Sequence, residues 1–143
     1  MSGEAVEKFK NKLVAVLNKS IESGKLMNAL AHMCIGLGAH IGKEELRLTD
    51  YMDADGGSHP FISELPFIIL SENSNKIRKL RGEAIANNII FNDFTDTMTV
   101  GTYQEQIERT KQVKDENLIY YGIVLFGEWD KVSELTRKFS LWR

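Results

Sequence analysis

The chain has 143 residues, 43% of them hydrophobic and only two of them proline, enough for one core and too short for two comfortable domains. A formal net charge of −2 gives no global reason to expect tight, non-specific nucleic-acid binding, and the single cysteine, Cys34, excludes an internal disulfide. No segment approaches the roughly 18 apolar residues of a membrane span, and Met1 to Lys10, with Glu4, Glu7, Lys8 and Lys10, lacks the apolar run of a secretory signal. A cytoplasmic protein with no membrane partner is the expectation.

The first strand is predicted over Lys12 to Leu17, a nearly continuous apolar run that fits a central strand buried on both faces. A helix follows from about Gly24 to Gly42. Glu44 to Met52 reads as a connection into a strand near Thr49 to Ala54, ended by the turn signal Asp55-Gly56-Gly57. Phe67 to Leu70 is the next strand, and the helical spacing of Ile77, Leu80, Ala84 and Ile85 predicts a helix over about Ser74 to Asn87. Asn88 to Phe91 reads as a strand running into the polar hexapeptide Asn92 to Thr97. Thr102, with Glu105 three residues on, forms a capping box for a helix through about Lys111. Tyr120 to Phe126 is the last strand; Gly127 breaks it, and Asp130 caps a helix to about Lys138. The alternation predicts a single α/β domain, a three-layer α/β/α sandwich with a mixed four- to five-stranded sheet. The short link between the strands near Met52 and Phe67 permits an antiparallel pair, which is the reason a mixed sheet is expected.

The first helix is two-faced. At about 100° per residue, Lys25, Asn28 and His32 fall within about 60° of one another, while Leu26, Leu30, Met33, Cys34, Leu37 and Ile41 share the far side. A packing face needs no lysine or histidine, so the polar stripe is where chemistry is sought; Cys34 on the apolar side reads as a small hydrophobe. Asp53-Ala-Asp-Gly-Gly-Ser-His59 lacks both calcium-loop spacing and a third convincing zinc ligand, so no metal is expected there; Asp55 and His59 are instead candidates to line the cleft and contact a ligand. Gly36, Gly38 and Gly42 lie late in a helix rather than between strand and helix, which points to packing and not to a dinucleotide site. Lys76, Arg78, Lys79 and Arg81 form the one basic cluster, read as a solvated helix surface.

The order of elements and motifs resembles the type II peptidyl-tRNA hydrolases. The likeness rests on a strand, Gly24-Lys25, a helix with His32, Asp93 followed by Thr97, Gly122-Ile-Val-Leu-Phe-Gly127 and Lys131-Val-Ser-Glu-Leu-Thr136. More narrowly, Asp53-Ala-Asp-Gly56, His59-Pro60, Phe94-Thr95-Asp96 and Thr102-Tyr103 resemble the relatives catalogued as domain of unknown function 2000. The resemblance covers nearly the whole chain after residue 11, leaving 1–11 as an N-terminal extension and about 101–117 as an inserted helical segment. It implies helices on both faces of a mixed sheet and a cleft at one end of the first strand. It also implies that Lys25, Asp93 and Thr97 are the catalytic groups.

A carboxylate accepting a proton from water, beside a cation that stabilises an oxyanion, is what an ester hydrolase needs. Convergence of Lys25, Asp93 and Thr97 in one cleft, with Asn28, His32, Asp55 and His59 binding the substrate, is therefore the expectation. Ala29 stands where the hydrolases carry glutamine, and Asp96 where they carry arginine. Losing a cation and gaining an anion disfavours transfer RNA. Two readings follow: a hydrolase of an ester or amide on a small or aminoacyl-type substrate, or a non-catalytic small-ligand-binding or regulatory domain. No cofactor is implied, and a homodimer is left open.

Overall fold

The computed structural model describes residues 9–143, so most of the expected extension over 1–11 lies outside the described residues. Among the described residues the strands are β1 (Asn11–Asn18), β2 (Leu48–Met52), β3 (Ser58–Ser63), β4 (Phe67–Glu72), β5 (Ile90–Thr95), β6 (Tyr120–Glu128) and β7 (Ser140–Leu141). The α-helices among the same residues are α1 (Ser23–Ile41), α2 (Ser74–Ala86), α3 (Tyr103–Lys111) and α4 (Trp129–Thr136).

The apolar run of β1 lies in the interior of a five-stranded sheet ordered β5-β6-β1-β4-β7. It pairs parallel with β4, Val14 opposite Ile68, and antiparallel with β6, Val14 opposite Leu125. The sheet is mixed for a reason other than the one expected. The strand near Met52 does not pair with the one at Phe67; β2 and β3 form a separate antiparallel hairpin, and the parallel contact is β1 with β4. The strand alternation of β1 sends Leu13, Ala15 and Leu17 to a core with Leu26, Ala29, Met33 and Leu37 of α1. Val14 and Val16 point the other way, into a core with Ile77, Leu80 and Ala84 of α2 and Val132 of α4. Helices thus cover both faces. Gly122 permits the close seating of α1: a Cβ there would stand 2.8 Å from Leu17 Cδ2 and 3.1 Å from Met33 Cε.

Several boundaries differ from those expected. The N-cap of α4 is Glu128, whose carboxylate accepts from the backbone N–H of Asp130 and Lys131, so Asp130 sits inside the first turn and is not the cap. The helix stops at Thr136, two residues short of the expected end, and β7 then adds an edge to the sheet. β5 extends to Thr95, through the first four residues of the polar hexapeptide, with Asp96–Met98 following as one 3₁₀ turn. The capping box at α3 is present as expected: Thr102 Oγ1 accepts from Glu105 N at 3.2 Å, and Glu105 Oε1 accepts from Thr102 N at 2.7 Å.

Candidate functional site

The polar stripe of α1 faces a cleft. Lys25, Asn28 and His32 are exposed on the helix, and the segment from Phe94 to Gln106 stands across from them. Two adjoining cavities, about 670 Å³ and about 330 Å³, share Asn28, Phe94 and Thr99. The larger is completed by His32, Met98, Gly101, Thr102, Tyr103 and Gln106; the smaller by Gly24, Lys25, Val100 and Tyr121. The floor is aromatic. The Phe94 ring lies between those of His32 (centroids 6.3 Å apart) and Tyr121 (5.9 Å). At the α1 end, the Lys25 ammonium is 3.2 Å from Glu22, a pair open to solvent on both sides and therefore weakly held. No side chain caps this helix, and its first turn holds no acidic residue, so its free N–H groups add positive potential to that of Lys25.

The opposite wall is built from its own hydrogen bonds. Thr110 Oγ1 donates to Thr97 Oγ1 at 2.8 Å, Arg109 donates to the Thr97 carbonyl at 3.0 Å, and Gln106 donates to the Gly101 carbonyl at 3.2 Å. These bonds account for Thr97. It is buried, its hydroxyl also 2.7 Å from that of Thr95, and it does not line the cleft.

Asp93 is elsewhere. Successive residues of a strand point to opposite faces, and because β5 runs on through Thr95, Phe94 faces α1 while Asp93 faces α2. There its carboxylate accepts from Arg81 Nε at 2.8 Å. Asn92, back on the α1 face, donates to the Met33 carbonyl at 3.3 Å, opposite Gly36, where a Cβ would come within 2.8 Å of Asn92 Nδ2. The expected convergence of Lys25, Asp93 and Thr97 is thereby corrected: Lys25 and Asp93 lie on opposite faces of the sheet, and Thr97 serves the wall. Asp96 accepts from Ile119 N at 3.0 Å, tying the 3₁₀ turn to the start of β6.

Asp55 and His59 do not line the cleft either. Both are exposed on the β2–β3 hairpin, where the Asp53 carboxylate accepts from the N–H groups of Asp55 and Gly57, each at 2.9 Å, and contacts His59 Nε2 at 2.8 Å. His59, then Gly57 and Asp55, hold the Asp53 carboxyl below its ordinary range. The turn is a local Asx network, the chemistry that Asp and Gly bring to turns. The basic cluster is largely spent within the fold: Arg78 donates to the carbonyls of Asp115 and Leu118, Arg81 binds Asp93, and Lys76 lies 3.6 Å from Glu72. Cys34 is half-buried, packed against the α1 core, with burial pushing its thiol pKa up.

Of the seven expected site residues, Lys25, Asn28 and His32 share the cleft. Sequence reasoning missed Phe94, Thr99, Tyr103, Gln106 and Tyr121. One signal for them existed: the capping box fixes the start of α3, and Tyr103, the first helical residue, is 76% exposed beside the cavity.

The profile of a family described as "Protein of unknown function (DUF2000)" matches residues 11–143. The chain belongs to that family. No curated protein matches this DUF2000 chain. Among solved structures, a protein of unknown function from Agrobacterium tumefaciens strain C58 is similar to it with a TM-score of 0.82 at 17% identity, covering 95% of this chain and 100% of that one. At that identity the likeness shows the fold alone. Among the described residues of this DUF2000 protein, no helix is long and apolar enough to cross a membrane.

Proposed function

We propose that this chain is a small-ligand-binding or regulatory domain whose ligand occupies the cleft between α1 and the 94–106 segment. The observation that carries this reading is the division of the expected catalytic set: Lys25 opens onto the cleft with Asn28 and His32, while Asp93 is paired with Arg81 across the sheet. A hydrolytic site needs its base and its oxyanion-stabilising cation within reach of one substrate atom. The cleft keeps the cation without that carboxylate.

The groups present define a chemistry. Lys25 and the uncapped N–H groups of α1 suit an anionic group; Asn28, Thr99 and Gln106 offer neutral donors and acceptors; and the Phe94–Tyr121–His32 floor suits a flat apolar or aromatic body. A small carboxylate or phosphate ester bearing a ring meets all three. The resemblance to type II peptidyl-tRNA hydrolases supports a common framework of elements, and within it turnover of peptidyl-tRNA by this chain is expected to be absent or weak.

The test is a thermal-shift screen with a library of small aromatic acids and phosphate esters on the wild type and on Lys25→Ala, alongside a peptidyl-tRNA hydrolysis assay. A ligand that binds only the folded state stabilises it by RT ln(1 + L/Kd) at free concentration L, and so raises the melting temperature. Shifts present in the wild type and abolished in Lys25→Ala support the reading. Efficient hydrolysis that depends on both Lys25 and Asp93 overturns it.

A further inference from the structure

The smaller cavity is bordered by hydrogen-bond donors that the fold leaves unused. The first bond within α1 runs from Leu26 N to the Glu22 carbonyl at 3.1 Å, so the N–H groups of Ser23, Gly24 and Lys25 have no partner among the described residues. Gly24 lines the cavity, and a Cβ built on it would meet nothing within 4 Å, so the space beside this helix end is open. The floor of the same cavity holds Tyr121 of β6. It is only 9% exposed, yet its hydroxyl has no hydrogen-bond partner among the described residues. A buried phenol ordinarily finds one. Tyr120, its neighbour on the other face of the sheet, does: its hydroxyl donates to Asp115. Among the described residues no fully enclosed side-chain oxygen lacks a partner, so the Tyr121 hydroxyl keeps an open side, and the cavity is where this residue opens.

We propose that the smaller cavity seats the dianionic head of a phosphate monoester whose ring-bearing body lies in the larger one. This rests on the ligand-binding reading above and selects the phosphate ester over the carboxylate. Donors come from three sources: the free N–H groups at the start of α1, the Lys25 ammonium, and the Tyr121 hydroxyl on the sheet. A planar carboxylate offers two oxygens, whereas a tetrahedral phosphate offers three terminal ones, one for each source. Thr99 is not a fourth donor, because its Oγ1 already donates to the Asp96 carbonyl at 2.7 Å. The positive end of the helix dipole favours the more highly charged head. Glu22 is the one carboxylate that opposes it, and its pair with Lys25 is open to solvent, so the dianion takes over the ammonium. Asn28 and Phe94 line both cavities, which makes them the passage between head and ring.

The experiment is calorimetric titration of the full chain with phenyl phosphate and with phenylacetate, probes that share the ring and differ in the head. Phenyl phosphate is expected to bind at least about tenfold more tightly. Tyr121→Phe is expected to weaken phenyl phosphate about tenfold. It should leave the melting temperature of the unliganded protein unchanged, because the hydroxyl bonds nothing there. Gly24→Val, for which the fold has room, fills the space beside the free N–H groups and is expected to abolish phenyl phosphate binding. Phenylacetate binding as tightly as phenyl phosphate overturns the phosphate assignment and leaves the ligand-binding reading standing. So does wild-type affinity for phenyl phosphate in Tyr121→Phe, or a protein that binds another member of the screen and not phenyl phosphate. A protein that no member of the screen stabilises fails both readings. Should Tyr121→Phe lose the fold, Gly24→Val decides.

Discussion

Replacing Asp93 with alanine separates a structural role from a catalytic one. The Asp93–Arg81 contact is 2.8 Å long, with side chains 16% and 36% exposed, so it lies between surface and interior. The bare Coulomb attraction at that distance is about 6 kcal/mol at an effective dielectric near 20, and desolvation opposes most of it. Exposed pairs contribute about 0.2–1 kcal/mol, and breaking fully buried ones costs about 3–5 kcal/mol. Arg81 is more than a third exposed and also lies 5.4 Å over the Phe91 ring, which keeps it partly satisfied. The expected loss on Asp93→Ala is therefore about 1–2 kcal/mol, or about 3–8 °C in Tm for a chain of this size. Urea denaturation of the wild type, Asp93→Ala, Arg81→Met and the double variant should give a coupling of about 1 kcal/mol. A ligand from the screen should still raise the melting temperature of Asp93→Ala and fail to do so in Lys25→Ala. Negligible coupling, together with loss of the ligand response in Asp93→Ala, would refute the reasoning.

Thr102→Ala removes half of the capping box and should cost α3 about 1 kcal/mol; since α3 buries no residue, faster amide exchange over 103–107 with little change in global Tm is the expected result. Tyr120 supplies a pH prediction: burial, then its 2.5 Å bond to Asp115, pushes the phenol well above its ordinary value. A folded pKa above the unfolded one near 10 leaves this contribution intact below that pH and removes it as pH rises further. Urea midpoints should therefore hold up to about pH 10 and fall as pH rises beyond it in the wild type. They should fall less steeply in Tyr120→Phe, and an equally steep decline there would count against the assignment.

How much could be read in advance depended on how apolar each segment is. β1 and β6 were legible because strands buried on both faces leave continuous apolar runs, and α1 was legible because its polar stripe has helical spacing. β5 was cut short because Asn92 and Asp93 look like a loop. In the structure each is satisfied on its own face, Asn92 by the Met33 carbonyl and Asp93 by Arg81, so a polar pair can lie within a strand. The site error came with the resemblance, which set Asp93 beside Lys25, whereas an aspartate within this strand, next to Phe94, must point to the other face of the sheet. β3 escaped notice because Ser58-His-Pro-Phe-Ile-Ser63 buries almost nothing and contains a proline. The pairing of β1 with β4 followed from neither pattern, since periodicity reports faces and not partners. Thr99 joined Lys25, and Tyr103 joined His32, through tertiary folding alone, between segments far apart in sequence.

The absence of a Cβ at Gly36 lets Asn92 fasten the middle of α1 to β5, so one jaw of the cleft is fixed. The opposing jaw is of another kind: α3 touches chiefly the 3₁₀ turn before it and is held by polar bonds, with no side chain sunk into the core. On the ligand-binding reading proposed above, exchanging 99–111 for another sequence that keeps its length, its cap and the Arg109 and Thr110 bonds to Thr97 is expected to retune what is bound while leaving the scaffold that fixes Lys25 in place.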